Sequence, residues 1–82
     1  MKLSVVIPAY NAEAFIASNI RMLDDFLSTR VASFEIVVVD DASRDNTSFA
    51  VSQEACPHVR LIKLSENMGK FGAIKAGMRE TC

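Results

Sequence analysis

The sequence predicts an α/β fold of three layers, αβα, with helices on both faces of a Rossmann-like parallel sheet. Three observations carry that prediction. Ile36-Val37-Val38-Val39 is apolar without polar alternation, the pattern of a strand covered on both faces. Strand-like runs alternate with segments of helical period, in the order βαβαβα. The connections are short, so each strand–helix–strand unit closes as a right-handed crossover and the sheet is parallel.

Taken in order, residues 3–7 are a short β-branched run stopped by Pro8, which reads as a buried strand. From residue 12 to about 27, Phe15, Ile16, Ile20, Leu23 and Leu27 recur at helical spacing, with Asn11 placed as the N-cap. Residues 35–39 form the second strand. Residues 43–47 carry turn chemistry and lead into a weaker helical stretch to about Ala55, ended by Pro57. Residues 59–64 alternate enough to read as a less deeply buried third strand. Residues 65–69 are a loop, and residues 70–78 a helix whose Phe71, Ile74 and Met78 share a face. Gly72, Ala73, Ala76 and Gly77 leave that helix thin enough for close packing.

The composition excludes several classes. Half of the 82 residues are hydrophobic and 23% are charged, which rules out a disordered or low-complexity chain. Nine basic against ten acidic side chains give a net charge of −1, so no basic excess draws in nucleic acid or an anionic membrane. The two cysteines, Cys56 and Cys82, are too few for a disulfide framework and lack zinc-knuckle spacing; they read as free thiols in a reducing, cytoplasmic compartment. The opening run is too short for a secretory signal, and no stretch is long and apolar enough to cross a bilayer. A chain this short buries roughly 60% of its extended surface. A three-stranded sheet with an open edge is also a poor stopping place. The expectation is therefore that residues 1–82 are one incomplete unit, the opening half of a larger domain.

In an open parallel sheet, ligands bind beyond the carboxyl ends of the strands. Three loops fall there: Pro8-Ala9-Tyr10-Asn11, Asp40-Asp41-Ala42-Ser43, and Ser65-Glu66-Asn67-Met68-Gly69-Lys70. Adjacent Asp40 and Asp41 repel one another unless donors or a cation satisfy them. Asp40, straight after the buried run, is favoured for a ligand N–H, whereas Asp41 and Asp45 are as well placed to cap the next helix. Lys70 opens a helix just after Gly69, where its charge and the helix amides together suit a diphosphate. Asn67 holds the turn, and Tyr10 is a candidate to stack on a planar base, although a lone loop tyrosine is more often packing. His58 lies at the opposite, amino end of the third strand and reads as surface. No G-x-G-x-x-G follows the first strand and no G-x-x-x-x-G-K-[ST] occurs, so the common dinucleotide and P-loop sites are excluded. Paired acids after the second strand, not the first, exclude a phosphoacceptor receiver.

Ser4-Val5-Val6-Ile7-Pro8-Ala9-Tyr10-Asn11, followed by Glu35-Ile36-Val37-Val38-Val39-Asp40-Asp41-Ala42-Ser43-Arg44-Asp45-Asn46-Thr47, resembles the start of a family 2 glycosyltransferase with the GT-A fold. The family pattern is V-x-I-P-x-Y-N, then V-V-D-D-G-S-x-D-x-T. The segment from Asn67-Met68-Gly69-Lys70 to Ala76-Gly77-Met78 is similar to the N-x-G-K-x-x-A-x-x-x-G of enzymes that load mannose or glucose onto polyprenyl phosphate. The resemblance spans nearly the whole chain. It implies an inverting transferase of cell-wall or polysaccharide biosynthesis, using a UDP- or GDP-sugar donor and a lipid-phosphate or saccharide acceptor. The chain would supply the nucleotide-binding half, with no nucleic-acid partner, in the cytoplasm or at the cytoplasmic face of a membrane.

By the same resemblance, Pro8, Ala9 and Tyr10 line a base pocket, Asp40 receives the base N–H and Asp41 shapes the pocket. Lys70, with the Asn67-Met68-Gly69 turn, lies near ribose or diphosphate. Glu13 enters one position later than the glutamate of polyprenyl-phosphate members, and Ala42 stands where the family has glycine. The family's D-x-D, which holds a divalent cation (Mg²⁺ or Mn²⁺) on the diphosphate, follows a fourth strand; no D-x-D occurs here. Neither metal ligands nor a catalytic base are therefore expected within these residues. The alternative reading is a non-catalytic nucleotide-binding or interaction module built on the same half-fold.

Overall fold

A computed structural model describes residues 3–54 and 56–81. Six elements follow one another: β1 (Leu3–Ala9), α1 (Ile16–Ser28), β2 (Phe34–Asp40), α2 (Thr47–Ser52), β3 (Val59–Lys63) and α3 (Gly69–Arg79). The strands are parallel in the order β1-β2-β3, with Val5 opposite Ile36 and Val38 opposite Leu61.

All seven residues of β2 are buried because both of its faces are covered. Successive side chains of a strand point to opposite faces. Ile36 and Val38 accordingly join Ile16, Ile20 and Leu27 of α1 and Val51 of α2 in one core. Val37 and Val39 join Ala73 of α3, with Val6, Ile62 and Leu64, in a second core on the other face. The two crossovers put α1 and α2 in one layer. α3 returns over the opposite face toward β1, which reverses the winding. The expected three-layer αβα architecture is present.

The close approach of α3 depends on its small residues. A Cβ on Gly77 would stand 2.5 Å from Val6 Cγ1 and 2.8 Å from Val39 Cγ2. The close packing expected of the small residues is present on their face of the helix. Ala73 and Gly77 face the sheet, whereas Phe71 is 84% and Met78 63% exposed. At roughly 100° per residue, Phe71 lies about 200° round the helix from Ala73. Backbone proximity, not side-chain bulk, selects the contact face.

Other boundaries shift for identifiable reasons. β1 continues through Pro8 to Ala9. Leu3 N–H donates to Ser33 and the Ala9 carbonyl accepts from Asp41 N–H, so odd residues of β1 turn toward β2. Pro8 then has its nitrogen on the open edge, where a missing donor costs nothing. α1 begins at Ile16, not at residue 12, and Asn11 is not its N-cap; Phe15 holds that position and is half exposed. Asn11 adopts φ 49°, and its neighbours are committed to another loop. α2 ends at Ser52; Ala55, the expected end, lies outside the described residues. At the amino end of the sheet, buried Glu35 accepts hydrogen bonds from Ser4 (2.9 Å) and Arg60 (3.0 Å), tying the three strands together.

Candidate functional site

The β1–α1 and β2–α2 loops are joined amide by amide. The N–H groups of Asn11, Ala12 and Glu13 donate to Ser43 Oγ (2.9 Å), Thr47 Oγ1 (2.8 Å) and Asp45 Oδ2 (3.1 Å). In return, Arg44 N–H donates to Asn11 Oδ1 (2.8 Å) and Asn46 N–H to Glu13 Oε1 (3.2 Å). Ser and Asp side chains compete for nearby amides and so favour such turns over helix. Thr47 is fully buried and also donates its hydroxyl to Asp45. That hydroxyl contact leads the effects that hold the Asp45 carboxyl below its usual range, against the opposing effect of desolvation. Asn11 and Ala42 take left-handed backbone, φ 49° and 58°, to reverse the chain here.

Beside this joined pair the third loop is attached through Asp41. Its Oδ1 accepts from Met68 N–H at 2.6 Å, its carbonyl accepts from Asn67 Nδ2 at 3.3 Å, and its own N–H donates to the Ala9 carbonyl at 2.8 Å. Asn67 Oδ1 accepts from Gly69 N–H at 3.1 Å, and Gly69 opens α3 with φ 76°. Only glycine adopts that backbone without a steric cost. Lys70 follows, exposed, in the first turn of α3.

These attachments leave an open cleft of about 320 Å³ lined by Pro8, Ala9, Tyr10, Asp41, Asn67, Gly69 and Lys70. The strand ends of β1 and β2 and the start of α3 thus bring seven of the nine residues singled out in the sequence around one space. Asp40 and Glu13 do not line it. Asp40 is buried; its Oδ1 accepts from Ser43 N–H at 2.9 Å and its Oδ2 from the Ser48 hydroxyl. Burial alone would raise its pKa, but the bonds from Ser43 and Ser48 and the charge of Lys63 outweigh it, and the carboxyl sits below its usual range. Glu13 is exposed and bonds Asn46.

The division between the two aspartates follows from the pleat. Residues 36, 38 and 40 point to the α1/α2 face, residues 37, 39 and 41 to the α3 face. Asp40 therefore meets Ser48 of α2, and Asp41 meets the start of α3. Parity along the apolar run was the signal for this, and for the bracing roles of Ser43, Thr47 and Ser48, which the motif reading passed over.

The chemical offer of the cleft is specific. Among the described residues, the hydrogen bond to the Asp41 carboxylate comes from Met68, leaving Oδ2 to accept from a ligand N–H. The first turn of α3 presents backbone amides that no helical carbonyl satisfies, with the Lys70 cation beside them. Tyr10, half exposed, offers a ring edge or face. Among the described residues no set of three ligand side chains gathers at this end of the sheet to hold a metal ion; the set that does gather, Asp24, Cys56 and His58, is at the other end. Asp41 is the one carboxylate among the residues that line the cleft.

The model of the family described as glycosyl transferase family 2 matches residues 4–81. A dolichyl-phosphate beta-glucosyltransferase of Dictyostelium discoideum is 39% identical over 88 residues, covering 93% of this chain and 26% of that protein. Among solved structures, S. aureus TarS 1-349 in complex with UDP superposes with a TM-score of 0.80 at 32% identity, over 99% of this chain and 24% of that one. The mannosyltransferase PcManGT from Pyrobaculum calidifontis, in complex with GDP-Man and Mn²⁺, gives 0.73 at 30% identity, over 98% and 24%. The chain spans about a quarter of the length of these relatives.

Proposed function

The chain belongs to glycosyl transferase family 2, and on that premise we propose that its cleft is the nucleotide half of a sugar-nucleotide donor site. The observation that carries the proposal is that one space is lined by both an acceptor and a cation: Asp41 at the end of β2 and Lys70 in the first turn of α3. Uracil and guanine each present ring N–H groups, which a carboxylate accepts; Tyr10 and Pro8 supply apolar surface for the ring. The diphosphate lies toward Lys70 and the first turn of α3, where charge and helix dipole act together. Asn67 and Gly69 shape the connection between these two ends.

Asp40 is a positioning residue in this reading. It holds the turn that aims Asp41, through Ser43 and Ser48. Residues 1–82 then act as the nucleotide-binding portion of an inverting transferase, with the sugar, the cation on the diphosphate and the acceptor handled by parts of the protein beyond them. The name of one relative carries dolichyl phosphate, which supports a lipid phosphate as the acceptor and hence a membrane surface as the place of transfer. No helix among the described residues is long and apolar enough to cross a membrane.

The test separates the two ends of the ligand. Lys70→Ala is expected to weaken binding of UDP or GDP by roughly tenfold or more, the scale of a charge-assisted hydrogen bond. Uridine or guanosine binding should be unchanged. Calorimetry showing the diphosphate unaffected would remove Lys70 from the site, and equal losses for both ligands would assign the effect to the fold.

A further inference from the structure

At the amino end of the sheet, away from the cleft, three side chains from separate parts of the chain converge. Asp24 lies in the third turn of α1; Cys56 and His58 flank Pro57 in the connection from α2 to β3. A carboxylate oxygen, a thiol sulfur and a ring nitrogen lie within 4.8 Å of one another, and all three residues are half-buried. Asp24 Oδ1 and His58 Nδ1 are 3.0 Å apart. A simple hydrogen bond needs two of these groups; the thiol is a third ligand atom at the same point.

The framework under them is well tied. Cys56 N–H donates to the Glu54 carbonyl at 2.8 Å, and the Cys56 carbonyl accepts from Val59 N–H at 3.2 Å. The His58 carbonyl accepts from Ile36 N–H of the central strand at 2.8 Å, and its ring stacks on Phe34 with centroids 4.2 Å apart. Two ligands thus stand on a turn fixed to β2, and the third on a helix packed against the same core.

Sulfur, imidazole nitrogen and carboxylate oxygen are the donors that zinc accepts in tetrahedral sites, at about 2.0–2.3 Å from the metal. Tetrahedral geometry then spaces ligand atoms roughly 3.3–3.8 Å apart, so the observed spread closes by side-chain rotation of about an ångström. We infer that Asp24, Cys56 and His58 form a site for a thiophilic divalent cation of the zinc class, with water in the fourth position. Binding takes up one cation and releases the thiol proton to solvent; no electron is transferred. The bound ion joins α1 to the α2–β3 turn. Magnesium and manganese, which prefer oxygen ligands in octahedral array, do not suit it.

Cobalt(II) titrated into the reduced protein tests this directly. The expected result is one equivalent bound, with a thiolate-to-cobalt charge-transfer band in the near ultraviolet and the intense visible bands of tetrahedral cobalt. Zinc should displace it and excess magnesium should not. Cys56→Ser should abolish the charge-transfer band, whereas Cys82→Ser should keep it. Asp24→Asn, which preserves side-chain shape, should weaken zinc binding by at least about tenfold with the circular dichroism spectrum unchanged. Zinc should raise the melting temperature of the parent protein and leave that of Cys56→Ser where it was. No charge-transfer band in the parent protein, a band that survives Cys56→Ser, or equal zinc affinity in all variants would overturn the site.

Discussion

The two ends of the sheet are held by different physics. At the carboxyl end the connections are fixed by short side chains that receive one backbone amide after another, through Ser43, Asp45, Thr47, Asn11 and Glu13. The positive-φ positions, Asn11, Ala42 and Gly69, all lie there. At the amino end the ties are side-chain pairs: the ion pairs Arg21–Glu54 at 2.8 Å and Glu35–Arg60 at 3.0 Å, and the Asp24–His58 hydrogen bond at 3.0 Å. Directional bonds to amides set where the backbone runs, to fractions of an ångström, and so can hold a cleft open. Charge pairs join elements without dictating loop shape, and exposed ones contribute little. The directional bonds are concentrated at the end that carries the cleft.

That contrast predicts unequal costs. Thr47→Val is expected to be the most damaging: it leaves the buried Ala12 N–H without a partner, at about 2–3 kcal/mol. Urea denaturation showing a loss under about 0.5 kcal/mol would contradict the bracing role. Asp40→Asn comes next, at roughly 1–2 kcal/mol near neutral pH, because charge-assisted bonds from Ser43 and Ser48 weaken. Its sign with pH is definite. The folded pKa of Asp40 lies below 3.8, so its contribution is present above the unfolded pKa and is lost as pH falls through the folded one. The parent protein should lose this contribution below about pH 4, and Asp40→Asn should show a shallower acid limb by that amount; parallel acid limbs would refute it.

Smaller effects sharpen the comparison. Ala42→Gly should stabilise the protein, by up to about 1 kcal/mol, since relief of left-handed strain at φ 58° exceeds the added freedom of the unfolded chain. A lower melting temperature would mean that Ala42 is not strained. Arg21→Ala, at the amino end, should cost less than about 0.5 kcal/mol, because its side chain is 60% exposed. A loss as large as that of Thr47→Val would erase the distinction between the two ends.

The order of elements and the doubly covered strand were legible because burial on both faces leaves a run such as Ile36–Val39 with no polar residue. The close packing of α3 was legible in its small residues, whereas the outward turn of Phe71 and Met78 shows only once Gly77 is seen against Val6. The start of α1 was misplaced for a related reason: Asn11 is a good N-cap by type, but its amide and side chain are engaged by Ser43 and Arg44, more than thirty residues away. Motif reading singled out the residues now around the cleft, yet it favoured Asp40 for the ligand; strand parity, also present in the sequence, points Asp41 at the α3 side. What long-range hydrogen bonds decide, local patterns do not carry.

The central claim is that Asp41 reads the nucleotide base. Asp41→Asn keeps an oxygen for Met68 N–H while replacing the second carboxylate oxygen with a donor. Nucleoside and nucleoside diphosphate titrated calorimetrically into the intact protein should both lose roughly tenfold to a hundredfold in affinity, while the stability loss stays within that of Asp40→Asn. Unaltered affinity for uridine, guanosine and their diphosphates in a folded Asp41→Asn protein would contradict the account.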